Sequence, residues 1–437
     1  MNIKVAKFGG SSVADAKQFR KVREIVLADD CRRYIIPSAP GKRYGGDYKI
    51  TDLLYLCHAH VKHSVPFDQM FDMICERYLG IVQELELSID LGPYLSEIKE
   101  KISKGASVDY TASRGEYLNG FILAQYLGYD FVDPKDMIVF DEFGSLDADK
   151  TKELVEKSLV EHKQAVIPGF YGAMPNGEVK TFSRGGSDIT GSIVAQAVGA
   201  EVYENWTDVS GFLMADPRIV EKPKQIEKIT YQELRELSYM GATVLHEESV
   251  FPVREAGIPI NVRNTNEPDN RGTMIISDKE SIHANTITGI AGRKDFTVIS
   301  IQKNRMNADI SFVRRILSIL EVNSIPVEHL PSGIDNISIV IDDEYLGSKL
   351  NKIVKEIREQ CKPDAIEVYP NMALIATVGH GMVYTRGVAA KLFTSLAEAN
   401  INIRMIDQGS SEINIIVGVE TNDFERAVQA IYDGFVE

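Results

Sequence analysis

Long apolar runs are missing from this chain, and no stretch reaches the length that a membrane-spanning helix requires. Cysteine is scarce. Cys31, Cys57, Cys75 and Cys361 stand at spacings that fit neither a metal site nor a redox pair, so a reducing compartment, the cytoplasm, is expected. Positive charge is in deficit: 48 Lys and Arg stand against 63 Asp and Glu, a formal net charge of −15. That balance excludes the basic stripe of a general nucleic-acid binder, but a nucleotide site needs only a few well-placed cations. The chain opens directly on strand-like residues, where no signal peptide is expected. Its 437 residues, 44% hydrophobic and 25% charged, have an ordinary globular composition, with room for roughly two to four domains.

What is present concentrates at the N-terminus, in Lys7-Phe8-Gly9-Gly10-Ser11-Ser12-Val13. Ile3 and Val5 alternate with polar neighbours as in a short strand, and Phe19, Val22 and Val26 share one face of a helix spanning 15–26. Strand, glycine turn and helix N-terminus together make an anion site, because backbone amides can approach a phosphate and the helix dipole favours negative charge. Lys7 at the strand exit adds a full positive charge. The segment is neither a Gly-x-x-x-x-Gly-Lys-Ser/Thr loop nor a Gly-x-Gly-x-x-Gly turn, so a different phosphate-binding architecture is implied.

Up to about residue 280, strand-like runs alternate with amphipathic helices, the pattern of an α/β domain with a largely parallel sheet. Residues 34–38 read as the second strand, followed by a glycine-rich basic loop over 40–46. Residues 66–104 are helical by pattern. A buried strand is expected at 165–170, a hairpin turn at Pro175-Asn176-Gly177, a loop at 183–188, a small-residue helix at 189–198 and a further strand at 202–206. Three segments of this region suit phosphoryl transfer to a small zwitterion. Ser113-Arg114-Gly115-Glu116 ends a loop ahead of an apolar helix, where an acid also complements a helix dipole. Phe182-Ser183-Arg184-Gly185-Gly186-Ser187-Asp188 sets a guanidinium, two glycines, a hydroxyl and a carboxylate at another helix N-terminus. Thr207-Asp208 follows a strand at the end where α/β sheets bind ligands, and Asp216-Pro217-Arg218 lies just beyond as an Asp-Pro turn. His58, His60 and His63 cannot share one helical face, and no metal site is assigned to them.

The C-terminal third contains a repeat. Residues 318–323 are echoed by 395–400, each ending an amphipathic helix. An Ile-rich strand (Ile325, Val327; Ile401, Ile403), a glycine turn, an alternating strand and a second helix follow in both copies. This is the ferredoxin-like unit, twice, suggesting paired small-ligand modules.

These motifs together resemble one family. Residues 7–13 are similar to the Lys-Phe-Gly-Gly-Thr-Ser-Val signature of aspartate kinases, within the amino-acid kinase superfamily; Ser11 replaces the usual Thr and keeps the hydroxyl. The segments at 113–116, 183–188, 207–208 and 216–218 follow in that family's order, and the repeats resemble its ACT regulatory domains, residues 402–412 most closely. Ser-Ala-Pro-Gly-Lys-Arg at 38–43 resembles the monofunctional, lysine-pathway members, and no homoserine dehydrogenase domain is expected. The resemblance implies a kinase domain with a mostly parallel sheet over 1–285, then βαββαβ ACT domains at 294–370 and 371–437, open to strand exchange between them.

It implies ATP-dependent phosphorylation of the side-chain carboxylate of L-aspartate to 4-phospho-L-aspartate, the first step of lysine, threonine and methionine biosynthesis, with Mg²⁺ on the phosphates. In that reading Lys7 and Asp188 are catalytic, Lys7 on the γ-phosphoryl group beside Gly9, Gly10 and Ser11, and Asp188 holding Lys7. Thr207, Asp208, Asp216 and Arg218 hold the nucleotide. Arg184 takes the substrate α-carboxylate and Glu116 its ammonium, with Thr51, Gly185, Gly186 and Ser187 on the substrate side. Thr243 stands where many relatives carry a nucleotide-site lysine, leaving Lys42, Arg43 or Lys49 to supply charge. An end-product amino acid, lysine first and threonine second, is expected at Met306, Asp309, Phe312, Ser332 and Asp335, in a homodimer or larger assembly joined through the ACT domains. No nucleic-acid, membrane or protein-held metal partner is expected. The alternatives are a kinase for another acid or a nucleotide (glutamate, N-acetylglutamate, uridylate), which the tandem repeats disfavour, and a catalytically dead amino-acid sensor.

Overall fold

A computed structural model describes residues 2–183, 185–241, 245, 247–278 and 285–436. Arg184 and Thr243 lie outside the described residues. The chain forms two compact units: Met1–Phe212, Glu227–Tyr231 and Val244–Glu280 in the first, Leu213–Ile226, Gln232–Thr243 and Ser281–Glu437 in the second.

The first unit contains β1 (Lys4–Phe8), β2 (Arg32–Pro37), β3 (Asp130–Phe131), β4 (Ala165–Val166), β5 (Tyr171–Ala173), β6 (Val179–Thr181), β7 (Val202–Thr207), β8 (Lys228–Thr230), β9 (Ile260–Asn264) and β10 (Thr273–Ile276). Eight of these make one sheet in the order β3-β4-β2-β1-β7-β9-β10-β8, parallel except at the β9/β10 step. β5 and β6 form the expected hairpin around Gly177, whose positive φ suits glycine. β1 lies between β2 and β7, so Val5, Ala6, Lys7 and Phe8 are all buried, the continuous burial of an interior parallel strand. Helices α1 (Ala16–Leu27), α2 (Ile50–Lys62), α3 (Asp68–Glu84), α4 (Gly92–Ser103), α5 (Val108–Leu127), α6 (Ala148–Val160) and α7 (Gly186–Ala197) accompany it. The Asp15 side chain caps α1 by accepting the Gln18 amide, and Phe19, Val22 and Val26 turn inward with Ile25.

Three local expectations need correction. Ser113–Glu116 is not a loop end but lies well inside α5, which Ser107 caps. Gly115 lets the helix approach Ala39: a Cβ there would lie 2.9 Å from the Ala39 Cβ. The loop expected at 183–188 stops at Gly185, so Ser187 and Asp188 occupy the first turn of α7. Of the strand expected at 165–170, only Ala165–Val166 is strand, and the chain turns at Phe170, which has φ 84°.

The second unit contains β11 (Gly289–Gln302), β12 (Asn336–Asp342), β13 (Ala365–Val378), β14 (Met405–Asp407) and β15 (Asn414–Glu420) in one antiparallel sheet, order β12-β11-β13-β15-β14. The two repeats share it. Residues 296–302 of β11 pair with β12 and with the first half of β13, whereas residues 289–293 pair with 374–378, beside β15. The second repeat therefore takes a strand from ahead of the first, in place of the final strand expected of it. Nor do residues 325–327 and 401–403 form strands, since Pro326 lacks a ladder donor and Asn400 has positive φ; Ile325 and Ile401 are buried all the same. Residues 232–241 belong to this unit through buried Glu233, which accepts from Thr288 Oγ1 (2.6 Å) and the His380 amide (2.8 Å), and through Glu236, bonded to Asn414 (2.6 Å).

The turn after β1 is held by the loop after β2. Gly41 donates to the Gly10 carbonyl (2.8 Å), and a Cβ on Gly41 would lie 2.7 Å from the Gly10 carbonyl carbon. Gly41→Ala should therefore lower unfolding stability by about 1–3 kcal/mol, the usual cost of overpacking, measured by denaturant titration against wild type.

Candidate active site

Every strand of the β4-β2-β1-β7 group is parallel, so the loops leaving Phe8, Pro37, Val166 and Thr207 emerge at one edge. Lys7, one residue before that edge on β1, stands in register with Asn205 on β7. Its Nζ lies 2.7 Å from Asp188 Oδ1 in the first turn of α7, and Asn205 Nδ2 donates to the same oxygen at 2.8 Å. The pair is largely buried, the two side chains being 10% and 16% exposed. Above it sits the glycine turn: a Cβ on Gly9 would come within 3.8 Å of Lys7 Nζ. The Gly9 amide is engaged by the Trp206 carbonyl (2.9 Å), so it is the amides of Gly10 and Ser11, opening a 3₁₀ turn, that find no acceptor among the described residues. An ammonium beside two unengaged amides is an arrangement suited to phosphate oxygens.

The remaining loops close around this point. Gly169 after β4 donates to Pro37, and a Cβ on it would collide with Ser187 at 2.5 Å, so α7 begins against that loop. Gly185, with φ 58°, and Gly186, pressed on Phe170, make the approach possible. The loop after β2 reaches α5, where the Ala39 amide donates to Glu116. Glu116 is 5% exposed, and its Oε2 has no partner among the described residues. Burial pushes its carboxyl up to about 8, against the lowering effect of that amide. Thr51 is half-buried in the first turn of α2, whose Ile50 amide donates to Pro40. Thr207 ends β7 and bonds Asp208, which is exposed. Arg184 falls outside the described residues, and so does Thr243.

Asp216 and Arg218 belong to the second unit, where they pair with each other at 2.6 Å; the guanidinium is exposed and holds the carboxyl below the ordinary carboxylate range. Arg43 is likewise engaged, by Asp47 at 2.8 Å, leaving Lys42 and Lys49 exposed. In the second unit, Met306 is buried in a 3₁₀ turn, and the first repeat's helix starts at Phe312. Asp309 is tied to Arg315 at 2.6 Å and to Ser311, which together hold its carboxyl low. Asp335 accepts the Arg305 amide, and Ser332 bridges to Ile337.

The model of the amino acid kinase family matches residues 2–264, and that of the ACT domain matches residues 375–435. Aspartokinase 3 of Bacillus subtilis is 38% identical, the alignment covering 99% of this chain and 98% of that one. Clostridium acetobutylicum aspartate kinase, described as an allosteric enzyme, superposes with TM-score 0.93 at 59% identity over all of both chains. The chain belongs to the aspartokinase family. Two E. coli aspartokinase III structures also match over both full lengths: one with aspartate and ADP (R-state), 26% identical with TM-score 0.72, and one with lysine and aspartate (T-state), 25% with 0.74. No helix among the described residues is long and apolar enough to cross a membrane.

Several residues that shape this aspartokinase site escape a motif reading. Asn205 carries no motif, although an amide inside a buried strand is itself a signal. Arg77, in the helical stretch with no assigned role, is buried and bonds Asp47 (2.6 Å) and the Gly41 carbonyl (2.9 Å), bracing the loop that meets Gly10. Thr265 bonds Ser12 at 2.7 Å across 253 residues.

Glu116 gives a pH prediction. A carboxyl whose folded value is raised contributes stability that is complete below 4.5 and lost as pH rises through about 8. In the ligand-free protein, Glu116→Gln should gain on wild type across that window when unfolding free energies are compared. A pH-independent difference would contradict the assignment.

Proposed function

We propose that the site transfers the γ-phosphoryl group of ATP to the side-chain carboxylate of L-aspartate, giving 4-phospho-L-aspartate and ADP. The observation that carries this reading is the buried Lys7–Asp188 pair beneath the unengaged Gly10 and Ser11 amides. A carboxylate nucleophile, with an ordinary value of about 3.9, is already ionised at neutral pH and needs no general base. Its oxygen attacks the γ-phosphorus while the bond to the β,γ-bridging oxygen breaks and ADP leaves. What the protein supplies is in-line positioning and neutralisation of charge on the equatorial oxygens. Lys7 provides that charge, with the Gly10 and Ser11 amides beside it, and Asp188 and Asn205 keep its ammonium at the strand edge. The Gly9 carbonyl accepts from Ser12 and stabilises the turn, so Gly9 serves through its shape.

Glu116 is the ammonium ligand in this reading: a buried carboxyl lacking a partner on one oxygen is ionised by an arriving cation. Arg184 takes the α-carboxylate, and Thr51, Gly185, Gly186 and Ser187 line the substrate side, all on the strength of the motif order. Thr207 and Asp208 take the nucleotide, and the same order assigns Asp216 and Arg218 to it. Mg²⁺ belongs to the nucleotide in this reading, where it would neutralise phosphate charge. We also assign lysine inhibition to the region of Met306, Asp309, Phe312, Ser332 and Asp335, with threonine as the second choice, in a cytoplasmic homodimer or larger assembly. The E. coli relative solved with lysine supports the effector. Kinase residues 1–285 and ACT modules 294–370 and 371–437 remain the proposed functional division.

The test is an ATP assay quenched with hydroxylamine. Hydroxamate should form with L-aspartate and not with glutamate or N-acetylglutamate, and ADP release, which also reports a phosphoanhydride product that hydroxylamine does not trap, should stay at background with uridylate. No hydroxamate and no substrate-dependent ADP release with any of them would leave the sensor alternative standing.

A further inference from the structure

On the face of α5 away from Glu116, helix geometry places Arg114, two residues earlier and about 200° around the axis. The residue is 7% exposed, and no carboxylate pairs with it among the described residues. Nε and Nη2 both donate to the Ser113 hydroxyl, and Nη1 finds no acceptor among the described residues. The guanidinium is instead surrounded by aromatic rings, with centroids at 4.6 Å (Tyr110), 4.5 Å (Tyr117) and 5.3 Å (Tyr171). Ring faces attract a cation.

This guanidinium lines a cavity of about 440 Å³ between α4, α5 and the β5–β6 turn. Tyr94, Ile98 and Val179 supply apolar wall. At its rim Lys101 is paired with Glu97 at 2.7 Å, and Lys135 lies 3.7 Å from Asp133. Glu178, which accepts from Asn176 Nδ2 at 3.0 Å, adds a carboxylate to that rim, while the guanidinium inside has no carboxylate partner of its own among the described residues. We propose that this cavity is a second ligand site, taking a small organic carboxylate with a flat apolar body. The carboxylate oxygens accept from the Arg114 guanidinium, and the body lies among the tyrosine rings. Nothing in the phosphoryl-transfer reading uses these residues.

Benzoate is the probe, titrated calorimetrically into the full chain saturated with L-aspartate and ADP so that the substrate site cannot take it. Saturable millimolar binding is expected, lost at least tenfold in Arg114→Met. Absence of binding to wild type, or unchanged binding in Arg114→Met, overturns the proposal. Should Arg114→Met fail to fold, Lys135→Glu at the exposed rim replaces it. Adding a negative charge there should weaken benzoate several-fold, and unchanged affinity would equally overturn the site.

Discussion

One ion pair organises the first unit. Lys7 is carried to the edge of the sheet by the strand at its interior, and Asp188 is carried there by the first turn of α7. Burying a lysine is costly unless a partner compensates it, and removing the partner of a buried pair typically costs about 3–5 kcal/mol. Asp188 meets that need with one carboxylate oxygen, which Asn205 also engages from the neighbouring strand. The pair adds little to folding that an apolar pair of the same volume would not. Its value is that it holds a positive charge, partly dry and in a fixed place, beside amides that no acceptor among the described residues engages.

Glycine contacts bring the rest of the site to that charge. Gly10 meets Gly41, Gly115 meets Ala39, Gly169 meets Ser187 and Gly186 meets Phe170, each at a distance where a Cβ would collide. The loops after β1, β2 and β4 and the N-terminus of α7 are thereby drawn together at one sheet edge. Arg77 and Asp47 lock the second of these loops from outside. The arrangement is suited to a reaction that asks for positioning and charge more than for proton transfer.

Much of this was legible in the sequence, for identifiable reasons. The first strand, its helix, the hairpin at Gly177 and the strand at 202–207 announce themselves by period, turn chemistry and caps. The Lys7 turn was legible because a cation, two glycines and a helix start stand together within a few residues. What was not legible depends on contacts distant in sequence. Ser113–Glu116 reads locally as a loop end, yet it lies mid-helix, where Gly115 packs against Ala39. The Gly9 amide looks available until β7 arrives with its carbonyl. Asp309 reads as a free acid until Arg315, six residues on in the first turn of the following helix, pairs with it. The strand that completes the second repeat comes from residues 289–293, ahead of the first, which no local periodicity reveals.

The central claim is that Lys7 and Asp188 act as one charge-coupled unit, and a double-mutant cycle on kcat/KM tests it most directly. With folding verified for each variant, Lys7→Ala and Asp188→Ala should each remove nearly all turnover, and the double variant should be no worse than the more damaged single one. Losses that multiply, or near wild-type turnover in well-folded Lys7→Ala, would contradict it.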